Sequence, residues 1–511
     1  MSASNEKKKV NSGSKVKLSP PKKKENEKSE LMYKVAAVAI VVALLFGIGI
    51  AVFRNFVSTD RVAITVAGEE IKAGELNFYY MNSYQNLVNM YGDYTQYLLG
   101  LDPSVPLKSQ QYMLGDEYAT WHDYFKDSAV KTAQRVHMLC SEAAAAGVGI
   151  SADDAASIVE QIEGLRTEVL GENPNITLDY YLEYVYGKGM DEVAYTKLLT
   201  NNFIAQSYSA EISGSFSYTD ANLESYYGEN KDNFDVVDYR MFTFNATTTD
   251  EMSDAEKSAA ISSAHSLAEI MANAVTDDDS FVSQALANAA EDQKEIFGDA
   301  KATLNTAKAK TSVSPTEVAD WLFSTDRAVN EVTVIDGASG SYVVMFKARY
   351  RNDYNTVNVR HILASFVVDE GAEAPTAAQE AAAKALAEEW LAAYEDGDKT
   401  EESFAELAKE HTDDGNGDVG GIYENVYKGQ MVPEFEAWIY DSSRKPGDTG
   451  IVKTDYGYHV MYYSGQSTSY WKVQVENTLR SEDYQNYETE RLLGYPVKEK
   501  VLGMMGVGLQ H

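Results

Sequence analysis

The sequence predicts an α+β chain of several domains: a membrane-spanning helix near the N-terminus, a helical domain, two related α+β domains and a returning C-terminal helix. Three observations predict this. A 19-residue apolar run follows a lysine-rich start. A Tyr-, Leu- and Met-rich stretch with helical period comes next. One strand–helix–strand plan then occurs twice, at offsets of 117 to 120 residues. At 511 residues the chain is too long for one ordinary hydrophobic core.

The start is basic. Residues 1–34 hold ten Lys against four Glu, a net +6, so the remainder of this -34 chain carries -40. These residues are expected to be a disordered cytoplasmic tail. Val35–Phe53 (VAAVAIVVALLFGIGIAVF) is uncharged and bracketed by Lys34 and Arg54. As a helix it would rise about 28 Å, close to a bilayer core. Lysines on its N-terminal side predict a cytoplasmic N-terminus and an extracytoplasmic bulk, hence a single-pass protein of the cell membrane. A cleaved signal peptide is the competing reading. Its apolar region would be shorter, and no clear Ala-x-Ala site follows, so an uncleaved anchor is expected.

Residues 58–216 are expected to form a helical domain, completed by 470–505. It opens with a short strand through Val62, Ile64 and Val66. Its aromatic stripe suits a buried core, and also a greasy cradle for varied chains, since Met and aromatics adapt to different partners. Residues 217–235 predict a linker helix with Thr219 as N-cap and Leu223 as its first core contact. Residues 467–511 are expected to be a C-terminal helix and tail, with 478–501 as one amphipathic helix packed back on the helical domain.

Between them lies the repeat, 236–352 and 353–466. Val237-Asp-Tyr-Arg-Met241 matches Val357-Asn-Val-Arg-His361. Trp321-Leu-Phe matches Trp438-Ile-Tyr, and Gly340-Ser-Tyr matches Gly457-Tyr-His. Each copy predicts a helix side packed on a small sheet.

Composition excludes several classes. A lone cysteine, Cys140, rules out an internal disulfide and any thiolate-rich zinc site. The acidic balance argues against nucleic acid. Counting a calcium loop from Asp414 puts Val419 at its sixth position and Asn425 at its twelfth, where Gly and Glu are needed. No metal and no cofactor are expected. His122 and His265 read as satisfied core residues.

Four blocks in the second copy carry chemistry: VRHILAS (359–365), FAELAKEHTDDGNGDVGG (404–421), GQMVPEFEAW (429–438) and TDYGYHVMYY (454–463). In this order and spacing they resemble parvulin-type peptidyl-prolyl isomerases. The whole layout is similar to the PrsA/SurA-type exported foldases, with a helical chaperone-like region and parvulin modules before a returning helix. The resemblance implies catalytic roles for His361 and His459, which would face each other beneath the active-site floor, and for Asp414. It implies a proline pocket from Met431 and Phe435, with Tyr423 at the place of an apolar wall residue. It departs at 420–427, where the usual Gly-Asp-Leu-Gly-Trp-Phe reads GGIYENVY. His411 falls on an aromatic-type position.

Elementary chemistry agrees with such a site. Rotation about a prolyl bond crosses about 18–20 kcal/mol without making or breaking a bond. A pocket for the ring and a field favouring the twisted amide suffice. The implied partners are unfolded or Xaa-Pro-containing exported polypeptides. The loop SFVVDEGAEAPT (365–376) has three acids and no base, which disfavours phosphorylated substrates. The first copy has Met241 and Tyr342 at the two histidine places and no GQM-x-x-x-F block, so it reads as a degenerate parvulin-like domain. A non-catalytic holdase that uses the fold only for binding is the alternative. No wall-anchoring tail or carbohydrate-binding repeat supports an adhesin.

Overall fold

The computed structural model describes residues 59–508, apart from 250, 325, 326, 370 and 373. The basic tail 1–34 and the apolar run 35–53 lie outside the described residues. Among the described residues no helix is long and apolar enough to cross a membrane.

The helical domain begins with a hairpin, β1 (Val62–Val66) and β2 (Glu69–Lys72), followed by helix Ala73–Tyr91. Helix Trp121–Ala146 starts at Thr120, whose hydroxyl accepts from Asp123 N–H while the Asp123 carboxylate caps back. Helices Ala152–Glu172, Leu178–Tyr186 and Glu192–Ser215 complete the layer. The aromatic stripe is largely core: Trp121, Phe125 and Tyr80 are fully buried and interlock edge to face or stacked. His122 is buried here, with Nδ1 3.0 Å from the Tyr80 hydroxyl. Part of the stripe stays outside. Met90, at the end of helix Ala73–Tyr91, and Tyr94, Tyr97, Leu98, Met113 and Leu114, on the connection to helix Trp121–Ala146, are exposed.

Each repeat copy is a four-stranded antiparallel sheet. The first has strand order β4-β3-β6-β5 and the second β8-β7-β10-β9. The strands are β3 (Asp235–Asn245), β4 (Leu304–Ala309), β5 (Val332–Gly337), β6 (Gly340–Arg351), β7 (Asn355–Ser365), β8 (Ile422–Val426), β9 (Thr449–Lys453) and β10 (Gly457–Ser469). The likeness reaches details no propensity demands. Arg327 and Arg444 lie over the Trp321 and Trp438 rings at 4.5 and 4.1 Å, and both Nε groups donate to that tryptophan's carbonyl. Arg240 and Arg360 each pair with the first acid of a following helix, Asp278 and Glu401. A cation–π contact contributes only about 0.5–1 kcal/mol when exposed. Its recurrence therefore speaks for duplication rather than for stability.

Period-2 alternation gives each sheet two different faces. In the second copy Ile362, Ala364, Val460 and Tyr462 pack under helices Ala377–Asp396 and Glu401–His411. Val357, Val359, Met461 and Tyr463 point the other way, to helix Pro433–Ile439. His361 and His459 share this second face by strand parity.

The linker segment holds two short helices, Asp220–Glu229 and Lys231–Phe234. Thr219 caps helix Asp220–Glu229, and Leu223 is buried against Trp471 and Val475 of the returning helix. Two expectations are corrected. The returning helix is Tyr470–Leu492 rather than 478–501, and the chain then forms β11 (Val497–Glu499), which pairs with β1. Val501–Met504 adds a last turn, and Gly508 N–H donates to the buried Asn77 side chain at 2.8 Å. The C-terminal segment thus completes the first sheet, which a helix could not do. His265 is not in the core either. It is half exposed and its Nδ1 lies 2.8 Å from Asp336, because the helix buries Ala264, Ala268 and Met271 and places residue 265 beside that stripe.

Candidate active site

His361 on β7 and His459 on β10 are 2% and 6% exposed. In the ladder His361 pairs with Met461 and His459 with Leu363, so the two rings are diagonal neighbours on one face. Their Nδ1 atoms are 3.1 Å apart. His361 Nε2 lies 2.8 Å from Asp414 Oδ2, and His459 Nε2 lies 2.9 Å from Thr454 Oγ1. The four side chains form one continuous line.

The loop that delivers Asp414 is fixed by its neighbours. Thr412 Oγ1 accepts from Leu363 N–H, Asp413 N–H donates to the Leu363 carbonyl, and Ser365 donates twice to the Asp413 carboxylate. Gly421 then runs against β7 at φ +69°, where a Cβ would sit 2.2 Å from the His361 carbonyl oxygen. Only glycine permits that approach.

Asp414 is held well below the usual carboxylate range. The hydrogen bond from His361 is the main cause, opposed by burial and reinforced by the Tyr423 hydroxyl. It is therefore a carboxylate, and His361 Nε2 carries a proton. Burial, then His361, pushes His459 down to about 4, so its ring is neutral at pH 7. With His361 Nε2–H donating to Asp414, the neutral His459 ring bridges His361 Nδ1 and Thr454 Oγ1 through its two nitrogens. Thr454 also accepts from Tyr456 N–H, which orients its hydroxyl.

Phe435 closes the site. It is 3% exposed, and its ring stands edge-on to both imidazoles at 5.5 Å. Met431 and Tyr423, half-buried, pack in the same apolar cluster. The structure thus brings His361, His459, Asp414, Phe435, Met431 and Tyr423 together. Tyr423 differs from a purely apolar wall: its ring stacks on His361 at 5.2 Å and 18°, and its hydroxyl donates to Asp414 Oδ2 at 2.6 Å. His411 lies apart from this line and stacks on Trp390 at 5.3 Å. Thr454 was not singled out in the sequence, although its place in the strand-to-strand turn five residues before His459 was a readable signal. Among the described residues no group of three His, Cys, Asp or Glu side chains could hold a metal.

In the first copy the equivalent face carries Met241 and Tyr342 in a cluster with Val318, Leu322 and Phe323. An apolar packing replaces the polar line.

Residues 343–466 match the family described as the PPIC-type PPIASE domain. The chain is 27% identical over 209 residues to the foldase protein PrsA of Clostridium perfringens, covering 40% of this chain and 54% of that one. It is 33% identical over 116 residues to foldase protein PrsA 1 of Listeria innocua, covering 22% and 32%. The alignments thus span about half and a third of these relatives' lengths. The crystal structure of PrsA from Bacillus subtilis overlaps 75% of this chain and 90% of that chain at 13% identity, with a TM-score of 0.27. The family match covers the buried imidazole line and its Phe435 lid, and residues 343–466 are accordingly a parvulin-type peptidyl-prolyl cis-trans isomerase domain, in a chain similar to the PrsA foldases.

Proposed function

We propose that this chain is a membrane-anchored peptidyl-prolyl cis-trans isomerase and chaperone that assists exported proteins outside the cytoplasmic membrane. The observation that carries the isomerase reading is the Asp414–His361–His459–Thr454 line lying directly under Phe435. A proline ring seated against Phe435 and Met431 loses water on its apolar face. Its carbonyl then meets a fixed array of donors and dipoles instead of mobile solvent. Such an array needs no reorganisation as amide conjugation is lost, and each tenfold in rate requires only about 1.4 kcal/mol. In this reading His361, His459 and Asp414 tune the field, and Met431, Phe435 and Tyr423 hold the substrate.

The anchor rests on the apolar run Val35–Phe53 behind ten lysines. Deleting 35–53 should release the protein from the membrane fraction, and retention would contradict the anchor. The acidic loop 365–376 favours neutral or basic residues before proline over phosphorylated ones.

A holdase role has its own support. The exposed Met90, Tyr97 and Met113 offer apolar surface in the helical domain, and the 422–427 stretch departs from the parvulin pattern. The test is refolding of a denatured protein whose slow phase is prolyl isomerisation, normally tens of seconds. An isomerase accelerates that phase in proportion to its concentration. A holdase raises only the yield, and an unchanged rate would leave the holdase reading.

A further inference from the structure

Tyr423 occupies the place of an apolar wall residue, yet its polar end is fully engaged. Asp414 Oδ2 accepts from the Tyr423 hydroxyl at 2.6 Å and from His361 Nε2 at 2.8 Å, while Oδ1 accepts from Gly415 N–H at 3.0 Å. Two donors therefore share one carboxylate oxygen. The Tyr423 ring also lies nearly parallel to the His361 ring, at 18°. One side chain thus contacts both members of the pair, the imidazole through its face and the carboxylate through its hydroxyl.

Leucine or another apolar wall residue could cover the same ring but could not reach the carboxylate. Donors that share an acceptor weaken one another, because each draws on the same lone-pair density. The hydroxyl therefore sets how strongly Asp414 pulls on the His361 proton, and through Nδ1 how His459 is polarised. Backbone pairing makes this geometry rigid. Tyr423 lies on β8 opposite Val359 of β7, two residues from His361.

We propose that Tyr423 is a positioning residue of the isomerase site: its hydroxyl, bound to Asp414, regulates the charge and alignment of the Asp414–His361–His459 line. This rests on the isomerase reading above and adds a role distinct from a hydrophobic wall. The groups facing Asp414 are His361 from β7, Tyr423 from β8 and, further off, His459 from β10. Asp413, its chain neighbour, is held away by Ser365. Without the hydroxyl, Asp414 loses one of the two side-chain hydrogen bonds that keep it ionised.

The test compares the full chain with Tyr423→Phe and Tyr423→Leu. Phenylalanine keeps the ring on His361 and removes only the oxygen. Two readouts are needed, one independent of turnover. In proton NMR the His361 Nε2–H resonance should move downfield in Tyr423→Phe, because the carboxylate now serves one side-chain donor. In an Xaa-Pro isomerisation assay, kcat should fall roughly tenfold with KM nearly unchanged, as losing one hydrogen bond to a charge implies. Tyr423→Leu should show the same fall in kcat, with a rise in KM from the lost ring that Tyr423→Phe does not show. An Nε2–H resonance and a kcat that both coincide with the wild type would overturn the proposal. A wild-type chain that fails to isomerise would instead overturn the isomerase reading, and the NMR comparison would still decide the role of Tyr423.

Discussion

His361 and His459 place their Nδ1 atoms 3.1 Å apart on neighbouring strands, so one ring must donate while the other accepts. Burial of the His459 ring, then the neighbouring His361, disfavours a second proton on it. This has a consequence for stability. The folded-state value of His459 lies at about 4, below the ordinary value near 6.5. Between these limits the unfolded chain binds a proton that the folded one refuses. The domain should therefore be most stable above about pH 6.5 and lose up to about 3 kcal/mol as pH falls toward 4. Hydrogen exchange at β7 and β10 amides measures this. His122 behaves in the same direction in the helical domain, so the readout must be local. In His459→Leu the slope at these amides should flatten, and an unchanged slope would contradict the assignment.

The first repeat copy should contribute no isomerase activity. Its sheet matches the second strand for strand, but Met241 and Tyr342 stand at the histidine places and Val318 at the place of Phe435. A full-length chain carrying both Phe435→Ala and His459→Ala should fall to the uncatalysed rate. Residual turnover near that of the wild type would assign the activity to 236–352 instead.

The C-terminal clasp should be the weak point of the helical domain. Gly503 packs so closely on β1 that a Cβ would lie 2.0 Å from the Val62 carbonyl oxygen. Gly503→Ala should cost about 3 kcal/mol, because neither backbone can yield. It should also expose residues 497–508 to proteolysis while leaving isomerisation unchanged. Gly164, exposed in helix Ala152–Glu172, has open space around its Cβ position. Gly164→Ala should stabilise by about 0.5–1 kcal/mol. Thermal unfolding should separate the two in sign.

Much of this architecture could be read from the residues, for identifiable reasons. The repeat was visible because Trp321 and Trp438, with their arginines, recur at a fixed offset. The two histidines could be placed because the blocks around them, VRHILAS and TDYGYHVMYY, resemble the parvulin pattern. What escaped was set by contacts distant in sequence. β11 has a single apolar residue in Val-Lys-Glu, too short for a period, and it forms because Val497 meets Val66. The Tyr423 hydroxyl was missed because the residue sits where an apolar ring would serve, and only the folded loop brings Asp414 within 2.6 Å. His265 could have been placed outside the core by tracing Ala264, Ala268 and Met271 as the buried stripe.

The most direct measurement is cis-to-trans conversion of an Xaa-Pro tetrapeptide by the wild type, His459→Ala and Phe435→Ala, with folding of each checked by circular dichroism. Phe435 is almost wholly buried, so its truncation should also cost about 3–5 kcal/mol of stability. The account predicts clear acceleration by the wild type, a loss of at least tenfold in His459→Ala and near-background rates in Phe435→Ala. Equal rates for all three folded proteins would contradict it.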